Sequence, residues 1–76
     1  MERIHELRKR IDKIDERIIE LLEERAEVAE KIGDIKEEEG IPVIDTDREK
    51  EVLESAGKYK RIFERIIQMC KELQDV

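Results

Sequence analysis

The stretch Ile4–Lys36, IHELRKRIDKIDERIIELLEERAEVAEKIGDIK, decides how this chain folds. Its apolar residues fall at Ile4, Leu7, Ile11, Ile14, Ile18, Leu21, Val28, Ile32 and Ile35. The steps alternate between three and four, with one break at residue 25. That is the seam of a long amphipathic helix. No proline interrupts it, and Gly33 is tolerable in its interior. Gly40 is a natural stop, followed at once by Ile41-Pro42. The spacing predicts a helix from about residue 2 to about residue 38, roughly 55 Å long at about 1.5 Å per residue. A compact globule of this chain length has a radius of gyration of only about 11 Å. The helix must therefore project out of any monomeric fold, and its seam needs a partner. A second copy in a two-fold dimer is the simplest one.

Outward from that helix the pattern stays helical. Residues 40–45, Gly-Ile-Pro-Val-Ile-Asp, read as a linker whose apolar side chains tuck against the helices. A short second helix is predicted from near Thr46 to near Gly57, with Thr46 and Glu49 in the spacing of a capping box. A third, of medium length, is predicted from about Lys58 to Leu73 or Gln74. Its stripe of Tyr59, Ile62, Phe63, Ile66, Ile67, Met69, Cys70 and Leu73 is wide enough to face a core. The fold class is all-α, in a single domain over residues 1–76.

Composition removes several function classes. The net charge is -6 and half the residues are charged, which argues against nucleic acid as a partner. One cysteine and one histidine allow neither an intrachain disulfide nor a zinc spacing, so no metal is expected. A domain this small then needs oligomerisation for stability. No run approaches the roughly 20 apolar residues of a membrane span, and no signal peptide is apparent. A cytoplasmic protein is expected. The absence of Asn and the abundance of Glu, Lys, Arg and Ile resemble hyperthermophile composition.

The seam breaks at Arg25, where the heptad expects an apolar residue. A buried guanidinium is costly unless paired. The bland reading has it snorkelling or pairing with an acid of a partner chain; the sharper reading has it binding an anion. Lys36 follows eleven residues later, at nearly the same angular position. Ala29, between them, leaves room. Lys36 also suits the negative end of the helix dipole, which is its ordinary explanation. Arg8 lies about 25 Å from Arg25 along the axis, so it reaches the same small ligand only from an antiparallel partner. Asp45, Thr46, Asp47 and Glu49 suit a helix N-terminus, but Arg48 opposes the dipole there. Phe63, Ile67, Cys70 and Gln74 share one face of the third helix. The bottom-up reading stops at a small anion held between cations.

In combination these residues resemble the all-helical (AroQ-class) chorismate mutases. The matching features are Leu7-Arg8, Ile14-Asp15, Leu21-Leu22-Glu23-Glu24-Arg25, Val28-Ala29, Ile32-Gly33 and Lys36. They continue with Pro42-Val43, Asp45-Thr46-Asp47-Arg48-Glu49, Phe63, Ile66-Ile67 and Gln74. The resemblance implies three helices forming an intertwined two-fold homodimer with a site shared between chains. It implies rearrangement of the dianion chorismate to prephenate, without a cofactor. Arg8 of the partner chain and Arg25 would clamp the substrate carboxylates. Lys36 and Gln74 would stabilise charge on the ether oxygen, Glu49 and the backbone near Asp45 would hold the ring hydroxyl, and Arg48 would add positive potential. Two departures stand out. The stretch between Glu49 and Gly57 is shorter than usual, and Cys70 stands where relatives often carry serine, so a weak thiol donor would meet a substrate carboxylate. An isochorismate-pyruvate lyase of the same fold and a non-catalytic helical dimerisation module are the alternatives.

Overall fold

A computed structural model describes all residues from Met1 to Val76. Helix α1 runs Glu2–Glu39, α2 runs Thr46–Ala56, and α3 runs Lys60–Glu72. A 3₁₀ turn, Gly57–Tyr59, joins α2 to α3. There are no strands, and no helix is long and apolar enough to cross a membrane. The molecule is drawn out, 56 × 23 × 14 Å, with a radius of gyration of 16.0 Å.

Each boundary has a local cause. α1 stops because Gly40 takes a left-handed conformation at φ 67°. The Ile41 N–H then donates to the Lys36 carbonyl at 2.8 Å, closing a Schellman-type end. Gly57, at φ 56°, ends α2 in the same region of φ. The N-cap of α2 differs from the expected capping box. Asp45 caps it, accepting from the Arg48 backbone N–H at 3.0 Å. Thr46 is instead the first helical residue, so Glu49 is free for another partner. The third helix also starts later than Lys58, because the 3₁₀ turn takes up Gly57–Tyr59.

α3 is the element that both others pack against. The face of α1 turned to it consists of Leu22, Arg25, Ala26, Ala29, Gly33 and Lys36, the only α1 residues that are not exposed. This face lies about one residue round from the heptad seam. Its small residues let α3 come close. A Cβ on Gly33 would stand 2.5 Å from the Leu73 carbonyl oxygen, so glycine is required by contact here. A core of Val52, Ile67 and Val76, with Leu53 and Phe63 against it, sits between α2 and α3.

The seam itself is uncovered. Its residues from Ile4 to Ile35 remain between 37% and 60% exposed. Tyr59 in the 3₁₀ turn and Ile62 and Met69 on α3 are exposed as well, so only part of the broad stripe faces a core. In the linker, Ile41 and Ile44 are exposed rather than tucked in. The accessible surface is 6784 Å² for 9.1 kDa. A compact monomer of that mass exposes about 4,900 Å².

Candidate functional site

The cations that the sequence singles out on α1 turn toward α3. Arg25 donates through Nη1 to Cys70 Sγ at 2.6 Å and through Nη2 to the Val76 oxygen at 2.8 Å. A guanidinium carries five N–H donors, so these two contacts leave capacity on the side that faces open space. That space is a cleft of about 380 Å³ between α1 and the α2–α3 unit, where Arg25 and Arg48 meet Val52, Tyr59 and Phe63. A smaller hollow of about 120 Å³ shares Arg25 and Arg48 and reaches Ala29, Asp75 and Val76. The larger volume lies in the range of small-molecule sites.

Lys36 lines neither hollow and meets the smaller one through Asp75. Its Nζ lies 2.8 Å from Asp75 Oδ1, with both side chains only 12–13% exposed. It also donates to the Val43 carbonyl at 3.5 Å. Arg48 is exposed and 3.8 Å from Glu51, a surface pair of little energetic weight. Its guanidinium therefore lines the cleft without a strong competitor.

Several expected residues sit differently. Cys70 is fully buried, and its sulfur is engaged by Arg25 rather than open to a ligand. Asp45 gives its carboxylate to the α2 cap, which leaves the expected role of its backbone untouched. Glu49 is 3.4 Å from Lys71 Nζ, an interhelical pair that the sequence reading missed. Gln74 lies beyond the end of α3, exposed, at φ 72°. Arg8 is exposed on the projecting part of α1. Asp75 and Val76 were also missed. Their only sequence signal was an acid two residues past the last apolar position of α3. No group of His, Cys, Asp or Glu is clustered tightly enough to hold a metal ion.

Arg25 and Arg48 thus share the cleft, and Lys36 is linked to its smaller neighbour through Asp75. A family model, chorismate mutase type II, matches residues 7–61 and so takes in all three. The chain belongs to the type II chorismate mutase family. The matched span ends at Arg61, before Cys70 and Gln74, the two positions where the site geometry departs most from expectation.

Relatives of this family member fall into two kinds. A chorismate mutase from Methanocaldococcus jannaschii is 39% identical over 95% of the chain, which covers 63% of that protein. A bifunctional chorismate mutase/prephenate dehydratase from Aquifex aeolicus is 44% identical over 96% of the chain and 17% of its own length. A 3-dehydroquinate dehydratase from Pyrobaculum aerophilum is 43% identical over 90% of the chain and 23% of its own length. The chain therefore spans under two thirds of these curated relatives, and a small part of two of them. Among solved structures, a conserved hypothetical protein from Pyrococcus furiosus is 51% identical, with a TM-score of 0.88 and 90% of both chains covered.

Proposed function

We propose that this chain is a chorismate mutase that rearranges chorismate to prephenate in phenylalanine and tyrosine biosynthesis. One observation carries the reading. In a chain of net charge -6, Arg25 and Arg48 converge on one cleft, and Lys36 pairs with Asp75, which lines the adjoining hollow. Membership of the type II family supplies the dianion that such a cluster suits.

The reaction is unimolecular. One carbon–oxygen bond breaks as one carbon–carbon bond forms, so neither nucleophile nor obligatory proton transfer is required. Two tasks fall to the protein. The first is to hold the substrate in a compact conformer, which positioning alone can reward strongly. Arginine suits this because its planar fork matches a carboxylate. Arg25 and the partner's copy of Arg8 take this role, and Arg48 raises the local potential. The second task is to stabilise negative charge growing on the ether oxygen, as donors in an oxyanion hole do. Lys36 takes this role, with Gln74 as its companion once α3 reaches that far. Glu49 and the backbone near Asp45 hold the ring hydroxyl.

Sharing the site requires a homodimer. Its support is the uncovered seam of α1 and the surface in excess of a compact monomer's. Loss of chorismate absorbance on adding purified protein, with the product identified, tests the reading. Prephenate supports it. Pyruvate released from isochorismate without mutase activity would assign the lyase reaction instead. A folded dimer with no turnover across a wide temperature range would leave only a dimerisation module.

A further inference from the structure

We propose that the segment Gln74–Val76 is an internal occupant of the anion site, and that Asp75 competes with the dianionic substrate for Lys36. The inference rests on the mutase reading for the identity of the substrate, but not for the competition itself.

Both α1 cations of the site are engaged by this one segment. Asp75 meets Lys36 at 2.8 Å, and the Val76 oxygen takes a hydrogen bond from Arg25 at 2.8 Å. A carboxylate and a second oxygen acceptor are thus presented to a lysine and an arginine, the chemistry that a dicarboxylate ligand would offer. The segment is seated rather than draped. Val76 is 4% exposed, and Asp75 also lines the smaller hollow.

The joint that turns the segment inward is strained. Gln74 is the only non-glycine residue at positive φ, 72°. It occupies the position after a helix end where glycine is usual, with the Asp75 N–H donating to the Cys70 carbonyl at 3.1 Å. Left-handed backbone at a residue with a Cβ persists only where its surroundings hold it, and such residues gather at switch regions. Here the contacts to Lys36 and Arg25 add to the Asp75 N–H bond to Cys70 and to the packing of Val76 against Val52 and Ile67. An anion that takes over these cations removes two of the contacts that hold the turn. α3 is then free to continue through Gln74 in ordinary helical geometry. Gln74 is four residues beyond Cys70, so this extension places it on the face that Ile67 and Cys70 bury. Its absence from the site and the presence of Asp75 there have one cause.

A site occupied by its own chain binds ligand with an affinity reduced by the fraction of molecules in which it is open. Asp75→Asn keeps the shape and removes the charge, while Asp75→Glu keeps the charge. The Asn variant should lower the KM for chorismate by about three- to tenfold, and the Glu variant should stay near wild type. Malonate provides a second probe that needs no turnover. Its dissociation constant, read from amide shifts of Gly33 and Lys36, should fall by a similar factor in the Asn variant. In the wild-type chain, saturating malonate should also move the amide signals of Asp75 and Val76. Unchanged KM and malonate affinity in a folded Asn variant overturn the proposal. Asp75 and Val76 amides that ignore malonate while Gly33 and Lys36 respond overturn it too. Tighter malonate binding without chorismate turnover in any variant would retire the mutase reading and keep the competing segment.

Discussion

Lys36 and Gly33 lie three residues apart on α1, and each meets the end of α3 in its own way. Lys36 carries the largest assigned catalytic share. Lys36→Ala should reduce turnover by at least ~100-fold, on the scale of losing an oxyanion-hole donor. Steady-state kinetics on chorismate checks this, and near-normal turnover would remove the role. Gly33→Ala tests contact instead of charge. Its new Cβ would stand 2.5 Å from a backbone oxygen, which cannot swing aside as a flexible side-chain tip would. The expected loss is about 1–3 kcal/mol, the usual range for overpacking, read from urea unfolding midpoints. That Lys36 and Arg25 share one face of α1 was legible, because helical angle follows from spacing. Asp75 was not. A lone acid near the end of an acidic chain has no periodicity, and its meaning depends on the turn at Gln74.

α2 owes its start to one side chain. Asp45→Ala removes the acceptor for the Arg48 N–H and should cost about 0.5–2 kcal/mol. A Thr46→Ala chain should lose much less, since Thr46 is not the cap. Denaturant unfolding of the two variants separates these outcomes, and equal losses would contradict the assignment. The helices and most of their limits could be read from spacing, from Gly40 and from Gly57. The choice between Asp45 and Thr46 as cap could not, because both residue types cap well and only the backbone path selects one. The Glu49–Lys71 pair was hidden for a related reason. It joins residues of different helices, and helical periodicity orders positions only within one.

For the whole molecule the governing facts are an uncovered seam and a drawn-out shape. Sedimentation should show a dimer, and Ile11→Asp with Ile14→Asp should drive it toward monomer with loss of activity. Arg8→Ala and Arg25→Ala chains should each turn over poorly. Mixed under conditions of confirmed subunit exchange, they should recover part of the activity, because some heterodimer sites keep both arginines. No recovery would rule out a site shared between chains. The charged composition and the thermophilic sources of the relatives lead to a further expectation. The thermal midpoint should lie above the ~45–65 °C usual for mesophile domains, as scanning calorimetry would show.

The all-helical class, the extent of α1 and the apolar seam were set by residue spacing, because a helix fixes which positions share a face as soon as it forms. The same spacing suggested that Arg25 interrupts the seam. Packing placed it on the neighbouring face, where it reaches Cys70 and Val76. A rotation of one residue about the helix axis separates those two accounts, and periodicity is too coarse to resolve it. The close approach of Gly33 to Leu73 and the bond from Arg25 to Cys70 settled the matter. They are contacts between residues roughly forty positions apart, and such contacts exist only once the chain has closed on itself.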